Sequence, residues 1–251
     1  MDLGLKGKKA IVTGGSKGIG RSTALQLAAE GAAVAICARG RAALDDTRAA
    51  IERLGVKAYA ASCDVGDAAA LHAFLDAARE ALDGVDILIN NPSGFGMTDD
   101  EAGWKVSIDV DLMATVRATQ QVVPWMAAAG GGSIVHISSI SGLEPGAPPA
   151  YAAVKAALVN HAKTMAQTLA AQNIRVNCVA PGSIYFAGGF WDSVKDHNRA
   201  MFDGVVAGIP FGRMGKPEEV ADAIVYLASG RANWVSGVTL VVDGVQHKGI
   251  F

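Results

Sequence analysis

The sequence predicts an α/β fold, a doubly wound parallel sheet with helices on both faces, and three observations predict it. Seven short β-branched runs recur along the chain, they are apolar without alternation, and six longer alanine-rich segments of helical periodicity separate them. A sheet with one wet face would alternate polar and apolar residues, whereas continuous apolar runs belong to parallel strands buried on both sides. At 251 residues the chain can bury one large core, so a single domain over 1–251 is expected.

The strands are read in order as "KAIVTG" (9–14), "AVAIC" (33–37), "KAYAAS" (57–62), "VDILIN" (85–90), "SIVHIS" (133–138), "IRVNCVA" (174–180) and "GVTLVVDG" (237–244). Among the helices, 100–128 and 150–172 are long and rich in alanine, which permits close helix packing. Gly130 to Gly132 end the first of these. The helix in "GKPEEVADAIVYLAS" starts at Pro217, with Glu218 and Glu219 in its positive first turn. One long stretch, 183–210, is irregular and rich in glycine and aromatics, and is expected to form a lid or binding loop.

Composition narrows the function. A formal net charge of −2, with no block of Lys or Arg, offers no field for nucleic acid. The first residues carry only a short apolar run before a glycine turn, so neither a signal peptide nor a membrane span is expected, and the protein is placed in the cytoplasm. Cys37, Cys63 and Cys178 stand apart, are odd in number and lack CxxC spacing, which argues against disulfides and metal and for small buried apolar residues.

The turn "TGGSKGIG" (13–20) follows the first strand and opens the first helix. There Gly14, Gly18 and Gly20, with Ser16 and Ile19 between them, let backbone approach a pyrophosphate whose charge sits on the helix N-terminus. An acidic residue about 20 positions on would hold the ribose of NAD, but "AICARGR" has none. Arg39 and Arg41 stand there instead, with Lys17 in the glycine turn, and three cations converging on one ribose suit the 2′-phosphate of NADP(H). Asp64, with Val65 beside it, is the candidate partner of the adenine, and Asn90 is a candidate for the same crevice.

In "PAYAAVKAAL" (149–158), Tyr151 and Lys155 are four residues apart and share one face of a helix. A phenol titrates near ~10, and an ammonium beside it stabilises the phenolate, so such a Tyr can pass a proton.

These segments together resemble the classical short-chain dehydrogenase/reductases, and in the C-terminal third the 3-oxoacyl-acyl-carrier-protein reductase branch. The matching pieces are "TGGSKGIG", "CDV", "NN" at 90–91, "ISSISG", "YAAVK", "NCVAPG", "GRMGKPEEVA" and "LVVDG". The resemblance implies a Rossmann fold and a reaction that interconverts a ketone and a secondary alcohol. It makes Tyr151 the general acid, Lys155 the residue that eases its proton release and holds the nicotinamide ribose, and Ser139 the hydroxyl that polarises the carbonyl. Ser138 is then the structural neighbour, facing the other side of its strand. Asn91, Pro181, Gly182 and Ile184 fall on the family's cofactor contacts, and family members pair two long helices into a four-helix interface, so a homotetramer is implied.

The sequence departs from the family at three places. Pro92 and Ser93 alter the "NNAG" pattern and remove a backbone donor. Phe186 stands where a Thr usually binds the cofactor. Asp111, seven residues after Trp104, replaces the family's catalytic Asn. Its carboxylate either turns to water or a backbone N–H, or faces Lys155 as the family Asn does through a water. At about 6 Å and an effective dielectric near 20 the second arrangement is worth roughly 3 kcal/mol.

The substrate end is read from Phe186, Phe190, Trp191 and Phe202, with Phe95 and Leu143 nearby, as either lid packing or contacts to an apolar or acyl-type ketone. The leading function is an NADPH-dependent carbonyl reductase. The alternatives are an alcohol dehydrogenase working mainly in oxidation, motivated by the reversibility of the chemistry, and a non-catalytic cofactor-binding regulator or scaffold, motivated by Asp111 and the two changed cofactor contacts.

Overall fold

A computed structural model describes residues 2–250, so Met1 and Phe251 of the 1–251 reading lie outside the described residues. The chain runs β1 (Lys9–Thr13), α1 (Gly18–Ala29), β2 (Ala33–Ala38), α2 (Arg41–Glu52), β3 (Ala58–Ser62), α3 (Ala68–Leu82) and β4 (Ile87–Asn90). It continues through α4 (Glu101–Val106), a π-helical segment (Ser107–Met113), α5 (Ala114–Ala128), β5 (Gly132–Ile137), α6 (Pro149–Leu169) and β6 (Ile174–Pro181). The last elements are α7 (Phe190–His197), α8 (Arg199–Ala207), α9 (Pro217–Ala228) and β7 (Thr239–Val242).

All seven strands form one parallel sheet in the order β3-β2-β1-β4-β5-β6-β7, as the continuous apolar runs require. Successive residues of one strand feed opposite faces. In β1, Ile11 packs with Leu71, Leu75, Val122 and Leu169 from α3, α5 and α6, while Ala10 and Val12 pack with Leu27, Leu44 and Ile224 from α1, α2 and α9. Helix ends follow their caps. Asp67 accepts from the N–H groups of Ala69 and Ala70 at the start of α3, and Glu219 Oε2 accepts the Lys216 N–H at 2.8 Å where Pro217 begins α9.

Two sequence expectations need correction here. The stretch 183–210 is largely helical: α7 and α8 occupy most of it, joined at Asn198, whose side chain accepts the Met201 N–H. The helix expected over 100–128 is interrupted by seven residues of π geometry. The cysteines are buried and free, as read. No helix among the described residues is long and apolar enough to cross a membrane, and they hold no cluster of three or more metal-ligating side chains.

Candidate active site

The order of the sheet reverses between β1 and β4, and in such sheets ligands bind beyond the carboxyl ends of the strands at that reversal. A cleft of about 1180 Å³ lies there. The ends of β1 to β6 supply Gly14, Arg39, Asp64, Asn91, Ser139 and Pro181 to its wall.

At one end, Gly14 takes φ +69° and accepts a hydrogen bond on its carbonyl from Asn91 Nδ2 at 3.0 Å. A Cβ on Gly20 would collide with that same carbonyl, so the two glycines let the turn close on itself, and the Gly15 N–H ties it to the Cys37 carbonyl at 3.0 Å. Ser16, Lys17, Gly18, Ile19, Arg39, Asp64 and Val65 line this end. Arg41 does not join them: it is exposed and 3.8 Å from Asp45 on its own helix, so the predicted trio of cations reduces to Lys17 and Arg39. Asn90 is also not in the wall. It is buried, with its amide between Thr119 Oγ1 and His136 Nδ1.

At the other end stand Ser139, Tyr151 and Lys155, with Ser138, Pro181, Gly182 and Ile184 beside them. Ser139 begins the short turn 140–142, and its Oγ accepts the Ser141 N–H at 3.1 Å. Ser138 Oγ donates to the Lys155 carbonyl at 2.7 Å, which locks the end of β5 to α6 and gives Ser138 the structural role read for it. A Cβ on Gly142 would lie 2.6 Å from the Lys155 carbonyl carbon, so only glycine lets this turn rest on α6 at that level. On α6 the Lys155 ammonium sits 5.5 Å from the centre of the Tyr151 ring.

Asp111 realises both alternatives raised for it, one through each oxygen. Its Oδ2 accepts the Gly94 N–H at 2.8 Å, and its Oδ1 lies 2.9 Å from Lys155 Nζ, not about 6 Å away. Neither side chain reaches water, with exposures of 0% and 2%. Lys155 Nζ also donates to the Ile137 carbonyl at 3.1 Å. Burial pulls the Lys155 pKa down, but the charges of Asp111 and Tyr151 more than offset it, and the ammonium is held above its ordinary value. The π-helical segment carries Asp111 inward, and Thr115 Oγ1 satisfies its carbonyl at 2.9 Å.

The aromatic reading holds in part. Phe95, Phe186, Phe190 and Trp191 line the cleft, whereas Phe202 packs edge-on against Tyr185 and Leu143 is not in the wall. Phe186 lies against the glycine turn: a Cβ on Gly18 would be 2.6 Å from its ring. Met97, Glu144, Met201 and Gln246 complete this end and were not singled out from the sequence. Gln246 lies beyond the last strand, and its Oε1 accepts the Ser183 N–H at 2.8 Å, a long-range contact without a local signal.

The family model described as Enoyl-(Acyl carrier protein) reductase matches residues 14–245. The chain is 37% identical over 249 residues to dehydrogenase/reductase SDR family member 4 of Oryctolagus cuniculus, covering 96% of this chain and 94% of that protein. It is 36% identical over 249 residues to a 3-oxoacyl-acyl-carrier-protein reductase of Thermotoga maritima, covering 96% and 98%. The chain belongs to the short-chain dehydrogenase/reductase family. Among solved structures of this family, a 7 alpha-hydroxysteroid dehydrogenase complexed with NADH and a 7-oxo bile acid superimposes with a TM-score of 0.91 at 32% identity, covering 100% of this chain and 98% of that one. The L-sorbose reductase of Gluconobacter frateurii, complexed with NADPH and L-sorbose, does so with 0.91 at 34% identity, covering all of both chains.

Proposed function

We propose that this short-chain dehydrogenase/reductase interconverts a ketone and a secondary alcohol with NADP(H), Tyr151 passing the proton. The observation that carries the proposal is the shared cleft: the Tyr151, Ser139 and Lys155 side chains line its one end and the glycine turn its other.

The residues fit a dinucleotide phosphate. The closed turn from Gly14 to Gly20 offers backbone N–H groups at the start of α1 for a pyrophosphate. Lys17 and Arg39 suit a ribose 2′-phosphate, β2 ends without a competing carboxylate, and Asp64, Val65 and Asn91 line the space between. Both NADH and NADPH occur among the structural neighbours, so the preference rests on those two cations. When bound, the cofactor supplies the hydride.

The chain's own groups supply the rest. Ser139 Oγ accepts the Ser141 N–H and donates to no group among the described residues, so its hydroxyl proton is available to the substrate carbonyl oxygen. Tyr151 Oη gives its proton to that oxygen as the C=O π bond opens, and takes it back in oxidation. Lys155 is held in place by the Ile137 carbonyl and by Asp111, and Phe190 and Trp191 line the substrate end. We place the enzyme in the cytoplasm as a homotetramer, acting on a small molecule without nucleic-acid or membrane partners; its three free thiols suit a reducing compartment.

Titration with both nucleotides tests the assignment. NADPH is expected to bind at least ~10-fold more tightly than NADH, as a charge-assisted pair implies. Arg39→Asp is expected to reverse the order, and equal affinities in the unmodified protein would contradict it.

A further inference from the structure

The substrate end of the cleft carries a feature that proton transfer does not use. The rings of Tyr151, Phe95 and Phe190 lie nearly parallel, with centroids 5.9 Å and 5.8 Å apart and planes 7° and 8° from one another. Trp191 meets Phe190 edge-on at 5.2 Å. The middle ring is 49% exposed, although its neighbours in the stack come from a different part of the chain.

Phe95 is placed there by its backbone. It takes φ +49°, a conformation a bulky side chain adopts only where the surroundings impose it. Those surroundings are visible on either side. The Gly94 N–H is bound to Asp111, a Cβ on Gly94 would lie 2.8 Å from the Val106 carbonyl, and a Cβ on Gly96 would collide with the Gly103 carbonyl. The loop is wedged against α4 and the π-helical segment, and the one large side chain between the two glycines is turned into the cleft.

Charge narrows the ligand further. The cleft has three cations. Lys17 and Arg39 stand at the nucleotide end, and Lys155 is buried and already paired with Asp111. Glu144, which also lines the cleft, is a carboxylate and accepts the Lys248 N–H at 3.2 Å. Among the residues that line this end no unpaired cation faces an anionic substrate, whereas a flat uncharged ring would find aromatic side chains beside Tyr151.

We propose that the substrate is an uncharged aryl ketone, or the corresponding alcohol, and that Phe95 is the residue that selects it. The inference rests on the oxidoreductase reading and names the substrate class of that same site.

The test compares kcat/KM for acetophenone, its carboxylate-bearing analogue 4-acetylbenzoate, and butanone, with NADPH, in the unmodified protein and in Phe95→Leu and Phe95→Trp. Acetophenone is expected to exceed each of the other two by about tenfold, the scale of one stacked and buried ring. Phe95→Leu keeps apolar bulk without a flat face and is expected to bring acetophenone and butanone within about threefold of each other, mainly through KM. Phe95→Trp is expected to restore the gap. These ratios do not depend on the folded fraction of a variant. An unchanged ratio in Phe95→Leu, or equal use of acetophenone and 4-acetylbenzoate, would overturn the substrate assignment while leaving the oxidoreductase reading intact. No turnover of any of the three by protein that binds NADPH would overturn the substrate assignment alone, and no binding of NADPH or NADH would overturn both.

Discussion

Asp111 places a carboxylate 2.9 Å from the Lys155 ammonium with both groups out of water, and breaking such a pair leaves a buried charge without compensation. Asp111→Ala is therefore expected to lower stability by about 3–5 kcal/mol in urea unfolding at neutral pH. The Lys155 pKa is raised in the fold, so the pair's contribution is complete below the ordinary lysine range and is lost as pH rises through the folded value. The gap between the two proteins should thus hold from pH 7 to about 10 and shrink above it; a gap that widens there would contradict the pairing. The conservative Asp111→Asn removes the charge that offsets Lys155 beside Tyr151. It is expected to keep activity and move the rate-against-pH curve of alcohol oxidation to lower pH, and superimposable curves would eliminate the electrostatic role. Phe186 lies on Gly18 at the mouth of α1, and the Thr that stands there in the family would hold the cofactor's carboxamide or pyrophosphate. Phe186→Thr should tighten NADPH binding by about tenfold, the worth of one hydrogen bond to a charged group. At this scale Tyr151 and Lys155 were legible because i, i+4 spacing fixes one helix face, and Ser139 because it matches a family pattern. The direct contact of Asp111 was not, since a π-helical turn adds a residue that 3.6-residue periodicity does not register. Arg41 was misread because sequence proximity to the ribose position says nothing of the helix face, and on α2 it turns toward Asp45.

Between β5 and α6, His136 is wholly buried and reaches Asn90 at 3.2 Å and His161 at 3.1 Å. Desolvation, then repulsion from His161, pushes the His136 pKa down to about 3. The unfolded chain binds this proton near ~6.5 and the folded one does not, so stability is full above that value and falls as pH drops toward 3. At pH 5 the loss from this residue is about 2 kcal/mol. Urea unfolding at pH 7 and pH 5 should show a smaller acid loss in His136→Asn than in the unmodified protein, and equal losses would mean that other groups carry it. The strands were legible because each is a continuous apolar run, and the start of α9 because Pro217 and two glutamates mark it. Helices α7 and α8 were not. They are short, and Gly188, Gly189 and Asn198 around them give the composition of a loop. Their apolar side chains cover the cleft rather than the main core, so no core pattern announced them.

Over the whole molecule, the reversal of strand order between β1 and β4 brings the glycine turn and the Ser139, Tyr151 and Lys155 group into one cleft, and the rest of the fold holds the strand ends in register. That architecture was readable because alternating strand and helix segments admit few right-handed parallel arrangements. Assembly is a separate expectation: the long α5 and α6 helices are proposed to pair copies of the chain into a homotetramer. Light scattering at micromolar concentration should give four times the chain mass, and a monomeric mass would contradict it. The central claim is that Tyr151 passes the proton in a cleft that binds the nucleotide independently of it. Single-turnover reduction of a ketone by Tyr151→Phe, with NADPH affinity measured on the same sample, tests it most directly. Affinity is expected to stay within about twofold and the reduction rate to fall by at least ~100-fold, the usual worth of a positioned acid; a near-normal rate with bound NADPH would mean that another group is the acid.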